Sequence, residues 1–333
     1  MTLAQVRAQD PAIAVLRHAL QHGRLAHAYL FVGPSGTGKR LAARALVQAR
    51  LCPEQPGEGC GRCSICQRLS DMNHPDLRVF EPRDEGNRNI KIDTIRDEVL
   101  PFTKFAPFEG DAAFVIFPEA DISFPRQHSE SANALLKTLE EPRAAVHFIL
   151  LSDRPNRLLT TIRSRCQQLR FGALPTPVVR EILAARGIDD EVARPAAALS
   201  AGRADRAIAL CEEDRAARLF EWTLRADDAI AATDAGPLLD LGEELARDDD
   251  RDYLLESLAQ FYRDLAAVGL GADDGQLAFA HRSEELRRRA GRVAPAAAAG
   301  RVLAIQELGD ALARNANPEI AFDGLLLGLS RPL

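Results

Sequence analysis

Gly33-Pro34-Ser35-Gly36-Thr37-Gly38-Lys39-Arg40 decides how the first half of the chain is read. The run fits G-x-x-x-x-G-K. An apolar stretch, Ala28-Tyr29-Leu30-Phe31-Val32, precedes it, and a helical stretch from Leu41 to Leu51 follows. Strand, glycine loop and helix is the context this motif needs. The glycines let backbone N–H groups turn toward phosphate oxygens, and the helix N-terminus adds positive potential. Gly33, Gly36, Gly38 and Lys39 are therefore the candidate phosphate-binding residues, with Lys39 reaching the outer phosphates. A plain strand–turn–helix corner is the alternative. The last position breaks the pattern. A Ser or Thr hydroxyl there would bind Mg²⁺, whereas Arg40 has no lone pair to give and repels a cation.

A second departure lies at the end of another buried-strand candidate, Ala112 to Phe117. A P-loop ATPase continues there with Asp-Glu-Ala-Asp, and this chain reads Pro118-Glu119-Ala120-Asp121. Pro118 stands where the metal-orienting Asp belongs, while Glu119, the usual water-activating base, is kept. Thr37 and Thr94 are poorly placed to substitute. Without Mg²⁺ the main charge neutralisation of phosphoryl transfer is gone. No hydrolysis is expected at this chain's own site, and ATP binding there is expected to be weak or absent.

The surrounding pattern alternates helix and strand. Asp10 and Pro11 open a helix by cap and first-turn proline, continuing from Ala12 to His22. Leu77 to Phe80, Val146 to Leu151 and Cys166 to Phe171 read as further strands. Thr94 to Leu100 reads as a helix capped by Asp93 and interrupted at Pro101, and Ser129 to Glu141 as one stopped by Pro142. This alternation predicts a parallel sheet covered on both faces. From Pro175 the strand signals fade. Pro177 to Arg186 and Asp190 to Ser200 read as helices, and the pattern is helical from about Asp214 to the end. Asp248-Asp249-Asp250-Arg251-Asp252 reads as a solvated helix start or loop, and Ala294 to Ala299 as the start of an ordinary helix. The expected division is 1–172, 173–212 and 213–333.

Composition narrows the functions. At 333 residues, 46% hydrophobic and 27% charged, the chain reads as a soluble protein of two or three domains. It has no run of 18 apolar residues, and its opening residues lack the apolar core of a signal peptide, so a cytoplasmic location is expected. A net charge of −6 excludes a wholesale DNA-coating protein, and 5% aromatics argue against stacking on single-stranded bases.

Four of the six cysteines, Cys52, Cys60, Cys63 and Cys66, fall in a C-x7-C-x2-C-x2-C pattern. Thiolates at two-residue spacing chelate one ion from a tight turn, and four make a closed tetrahedral Zn²⁺ site with no position left for water. The expected ion is a structural Zn²⁺ in a module at 52–66, with redox or free thiols as the alternatives. Cys166 and Cys211 read as buried thiols and His74 as a loop or packing residue. Arg62 and Arg68 are balanced by Glu54 and Glu58, so a folding staple or partner surface is a better reading of the module than a nucleic-acid knuckle.

Several stretches together carry a resemblance. His27-Ala28-Tyr29-Leu30-Phe31 runs into the loop, and Asn133-Ala134-Leu135-Leu136-Lys137-Thr138-Leu139-Glu140-Glu141-Pro142 follows the second motif. Phe148-Ile149-Leu150-Leu151 then precedes Thr161-Ile162-Arg163-Ser164-Arg165-Cys166. The chain resembles the AAA+ clamp-loader subunits of bacterial DNA polymerase III, from about residue 5 to 210, and more weakly near Asn315-Ala316-Asn317-Pro318. The resemblance implies an α/β AAA+ module, a small helical lid domain and an all-α collar domain. It implies a hetero-oligomeric ring with gamma/tau and delta subunits that places a sliding clamp on primed DNA. It is strongest to the stator type of subunit, which does not hydrolyse ATP itself; an active gamma/tau-type ATPase is the alternative. A zinc module after the loop helix is also implied.

The resemblance makes Arg165 the candidate arginine finger, a guanidinium given in trans to ATP bound by a neighbouring subunit; a structural salt bridge is the other reading. Ser152 and Asp153 fall near the sensor 1 position, with ordinary loop polar groups as the alternative. In Gly202-Arg203-Ala204-Asp205-Arg206 the sensor 2 slot holds Asp205 instead of Arg, which again implies no self-catalysis.

Overall fold

The computed structural model describes residues 2–82, 89–126, 130–141, 145–212, 215–232, 234–248, 250–313 and 317–330. Ser129, Pro142, Asp214, Asp249, Asn315 and Ala316 lie outside the described residues. The chain divides into two compact units, Met1–Pro175 and Thr176–Leu333.

In the first unit β1 (Ala28–Val32), β2 (Leu77–Val79), β3 (Ala113–Phe117), β4 (Val146–Ser152) and β5 (Gln167–Arg170) form one sheet in the order β2-β3-β4-β1-β5. Every pairing is parallel. The helices of this unit are α1 (Asp10–Gln21), α2 (Lys39–Leu51), α3 (Ser64–Ser70), α4 (Ile92–Thr94), α5 (Leu100–Lys104), α6 (Ala120–Ser123), α7 (Glu130–Glu140) and α8 (Thr160–Arg163). Strand side chains alternate between two cores. Tyr29, Phe31, Phe114, Ile116, Ile149 and Leu151 pack with α1 and α2. Ala28, Leu30, Val115, Phe117, Phe148 and Leu150 pack with α7 and the segment around Ile95 and Val99. The near-continuous apolar strands of the sequence follow from this double coverage, and each large buried side chain contributes about 1.5–3 kcal/mol. The parallel α/β sheet covered by helices on both faces, expected from the sequence, is the one observed.

Two local expectations are corrected. Gln9, and not Asp10, occupies the cap position of α1, and Asp10 falls in the first turn. The segment around Pro101 is not interrupted there, nor is it capped by Asp93. Lys91 precedes α4, a π-helical turn spans Ile95–Val99, and α5 carries Pro101 near its start. Leu100 N–H donates to the carbonyl of Ile95, five residues back. The widened turn gives the proline ring room and tolerates its missing N–H.

The regular elements of the second unit, among its described residues, are helices: α9 (Thr176–Ala184), α10 (Asp190–Leu199), α11 (Ala204–Leu210), α12 (Arg215–Ala232), α13 (Ala235–Arg247), α14 (Arg251–Gly269), α15 (Ser283–Ala290), α16 (Pro295–Ala313) and α17 (Pro318–Leu329). Helix α14 packs on α12, α15 and α16, and α13 packs on α17. A buried ion network ties α12, α14 and α15. Arg289 Nη1 lies 2.7 Å from Asp227 Oδ2, and the Tyr262 hydroxyl donates to Asp227 Oδ1 at 3.1 Å. Burial alone would lower the Arg289 pKa; Asp228, Glu285 and Asp227 outweigh it and raise it. The acidic run does mark a helix start, but Asp250 is not simply solvated: Arg215 grips both its oxygens at 2.8 Å.

Candidate phosphate loop and cysteine knuckle

The glycine loop sits where α/β sheets hold ligands. The chain leaves β1 toward β2 at one edge, whereas β4 leads across β1 to β5, so connections diverge at the strand ends around β1. Gly33 N–H donates to Ser152 O at 3.1 Å, anchoring the loop to β4. A Cβ at Gly33 would stand 2.0 Å from Phe171 O, so only glycine fits against the end of β5. Gly38, at φ 97°, turns the chain into α2. Gln9 staples the assembly. Its amide donates to Thr37 O at 3.2 Å and Gly172 O at 2.8 Å, and its oxygen accepts from Gly172 N–H at 2.9 Å. No sequence signal points to Gln9, because its partner Gly172 is 163 residues away.

Lys39 does not reach outward. Its ammonium donates to Gly33 O at 2.7 Å and Pro34 O at 2.6 Å, and it pairs with Asp153 Oδ1 at 2.8 Å. An ammonium has three N–H donors, and these partners match that number. The side chain is 7% exposed. Asp153, near the position expected for sensor 1, is thus the direct partner of Lys39. Ser152 is buried, and its hydroxyl has no partner among the described residues.

Arg40 extends to Glu81 at 3.1 Å on the surface. A cleft of about 320 Å³ opens beside it, lined by Arg40, Ala43, Met72, Val79, Ile116 and Pro118 among others. Glu81, the carboxylate on this lining among the described residues, is the one Arg40 engages. Glu119 follows β3 at the start of α6.

Arg165 lies just after α8. Its Nη1 donates to Thr161 O at 2.9 Å, its Nη2 pairs with Glu140 of α7, and 32% of the side chain stays exposed. The ion pair anticipated as the structural reading is therefore present. In the second unit Arg203 pairs with Asp205 at 3.3 Å, and the Arg206 guanidinium lies over the Tyr253 ring, 4.2 Å from its centroid.

At the other end of α2 the four cysteines converge. The sulfurs of Cys52, Cys60, Cys63 and Cys66 all lie within 4.8 Å of one another. Cys52 and Cys63 are 4.0 Å apart, and Cys60 and Cys66 3.9 Å. A disulfide needs about 2.0 Å, whereas four ligands about 2.3 Å from one ion stand about 3.8 Å apart at tetrahedral geometry. The set can hold a metal ion. Backbone N–H groups of Gln55 and Cys60 point at Cys52 Sγ, that of Cys63 at Cys60 Sγ and that of Cys66 at Cys63 Sγ, at 3.3–3.4 Å. Burial raises the Cys52 thiol, but the N–H groups of Gln55 and Cys60, together with the Cys60 and Cys66 thiols, outweigh it and bring it down to about 7; burial pushes Cys66 up to about 12. Gln48 of α2 donates to Cys66 O at 2.8 Å and fixes the knuckle to the core.

His74 is buried and outside the cluster; its Nδ1 accepts from Asp76 N–H at 3.1 Å, a packing role as expected. Its neighbour Asp76 was not anticipated: the carboxylate accepts from the backbone N–H groups of Phe108, Glu109 and Gly110. Cys166 and Cys211, expected as buried thiols, are half-buried free thiols; burial still pushes Cys166 up to about 12.

Residues 8–175, half of the chain, match the family model described as DNA polymerase III, delta subunit. DNA polymerase III subunit delta' of Bacillus subtilis (strain 168) is 27% identical over 325 residues, covering 96% of this chain and 96% of that protein. Subunit delta' of Pseudomonas aeruginosa is 40% identical over 171 residues, 50% of this chain and 49% of that one. Subunit tau of Escherichia coli (strain K12) is 35% identical over 183 residues, 55% of this chain and 27% of the relative. No helix among the described residues is long and apolar enough to cross a membrane.

Proposed function

The chain belongs to the DNA polymerase III delta subunit family, and from that premise we propose that it works as the delta prime type of subunit in the clamp loader. It helps place the sliding clamp on primed DNA beside gamma/tau and delta subunits, without turning over ATP itself. One observation carries this reading: the loop lysine is engaged entirely by its own chain, beside a corner where Arg40 and Pro118 have replaced both metal-handling positions. A nucleotide fold kept intact around such a corner acts as scaffold. Residues 173–212 form the lid, and 213–333 the collar through which the subunits assemble. On this reading the protein works in the cytoplasm.

Arg165 supplies the active contribution. Its guanidinium is held in position by Thr161 and Glu140 and remains partly exposed. In the ring it exchanges Glu140 for the phosphates of ATP bound by the neighbouring subunit, where a fork of N–H donors meets developing charge. The knuckle ion is Zn²⁺, the ion suited to four thiolates in a closed shell, and it braces the fold.

Arg165→Ala should leave assembly intact and lower ATP turnover of the reconstituted complex. Loss of such a finger costs on the order of 10³-fold at the site it serves, diluted in the whole complex by sites this chain does not serve. Unchanged turnover would remove the finger. A second reading, a self-sufficient gamma/tau-type ATPase, draws on retained Glu119 and the similarity to tau. It requires the isolated chain to hydrolyse ATP as fast as the mixture with its partners.

A further inference from the structure

We propose that Asp153 is a built-in competitor of phosphate at Lys39, an intramolecular latch that closes the glycine loop to nucleoside triphosphates. Losing the magnesium ligands explains why the loop cannot hydrolyse, but not why it should fail to bind. Backbone N–H groups at the start of α2 and a lysine attract phosphate without any metal. What removes that attraction is the engagement of Lys39, with carbonyls at 2.7 and 2.6 Å and a carboxylate at 2.8 Å. The carboxylate supplies the negative charge that an outer phosphate would bring.

The two partners of the latch differ in exposure. Lys39 is buried, whereas the Asp153 side chain is 47% exposed. Asp153 also borders a cavity of about 780 Å³ lined by Arg126, Arg154 and Arg157. A displaced carboxylate therefore has other cations to turn toward. Its backbone stays anchored meanwhile, because Asp153 N–H donates to Asp121 Oδ1 at 3.3 Å. Asp153 is thus the member that moves when the latch opens.

This inference concerns the isolated chain, and its outcome is independent of whether Arg165 serves a neighbour. The test is calorimetric titration of the full chain with ATP and, separately, with inorganic tripolyphosphate. Both are done in magnesium-free buffer without chelator, so that the cysteine knuckle keeps its ion. Asp153→Asn keeps the shape and removes the charge; Asp153→Ala removes the partner altogether. Both variants should melt close to the wild type and bind both probes at least about tenfold tighter, as a closed state populated ninety per cent or more requires. Adding Lys39→Ala should abolish the gain. The latch is refuted if the wild type already binds as tightly as the variants, if neither variant binds more tightly, or if the gain survives without Lys39.

Discussion

The two ends of α2 carry two glycine-rich motifs with opposite fates. At the N-terminal end the loop keeps its backbone shape, yet its one buried cation is engaged by Gly33, Pro34 and Asp153. At the C-terminal end the four thiols of Cys52, Cys60, Cys63 and Cys66 face one another at about van der Waals distance, joined by no disulfide. The loop's lysine is fully engaged without a ligand, whereas the knuckle gathers four donors around a point that can hold a metal ion. A motif's capacity to bind depends on whether its donor groups are left over once the fold has formed, more than on the motif being present.

Three substitutions break or sharpen that contrast. Cys63→Ser should have the largest effect. Binding free energy at a structural metal site is folding free energy, so loss of the ion should lower stability by several kcal/mol and the melting temperature of the first unit by roughly 10 °C. Metal analysis together with a melting curve checks this; a variant that keeps both metal and melting curve would show that the thiols are not a staple. Gly33→Ala comes next. The added methyl must displace the Phe171 carbonyl 2.0 Å away, at about 2–3 kcal/mol in denaturant unfolding; a loss below about 0.5 kcal/mol would mean the loop is looser than its packing implies. Lys39→Ala should have the smallest effect. It removes a buried ammonium from two carbonyls and a half-exposed carboxylate, about 1–2 kcal/mol of stability, and should leave ATP turnover of the assembled complex unchanged. In a working ATPase loop the same change would spare stability and abolish turnover, so the two readouts together distinguish a brace from a catalyst.

Much of this was legible in the chain itself. Apolar runs fixed β1 and β3 nearly to the residue, because a strand buried on both faces admits few polar side chains. Arg40 and Pro118, where the motifs would place a hydroxyl and a carboxylate, are visible in the chain alone, since residue chemistry does not depend on what surrounds it. Cysteine spacing announced the knuckle, because a chelating turn is a local object. Other features had no local signature. Gln9 finds Gly172, Asp76 holds the backbone of 108–110, and Asp227 meets Arg289, all across long stretches of chain. The passage of the helix through Pro101 depended on a π-helical turn that no propensity rule selects.

The sequence by itself determined which groups are present at the loop, which are absent, and that four thiols would gather beyond the far end of the helix that follows it. Only the tertiary structure decided what those groups do with one another. The direction of Lys39, the ion pair of Arg165 with Glu140 and the half-exposed position of Asp153 depend on strands β1 and β4 and helices α7 and α8 being brought side by side. The physical reason is reach: a charge takes whichever partner the fold leaves within about 3 Å, and sequence separation carries almost no information about that distance.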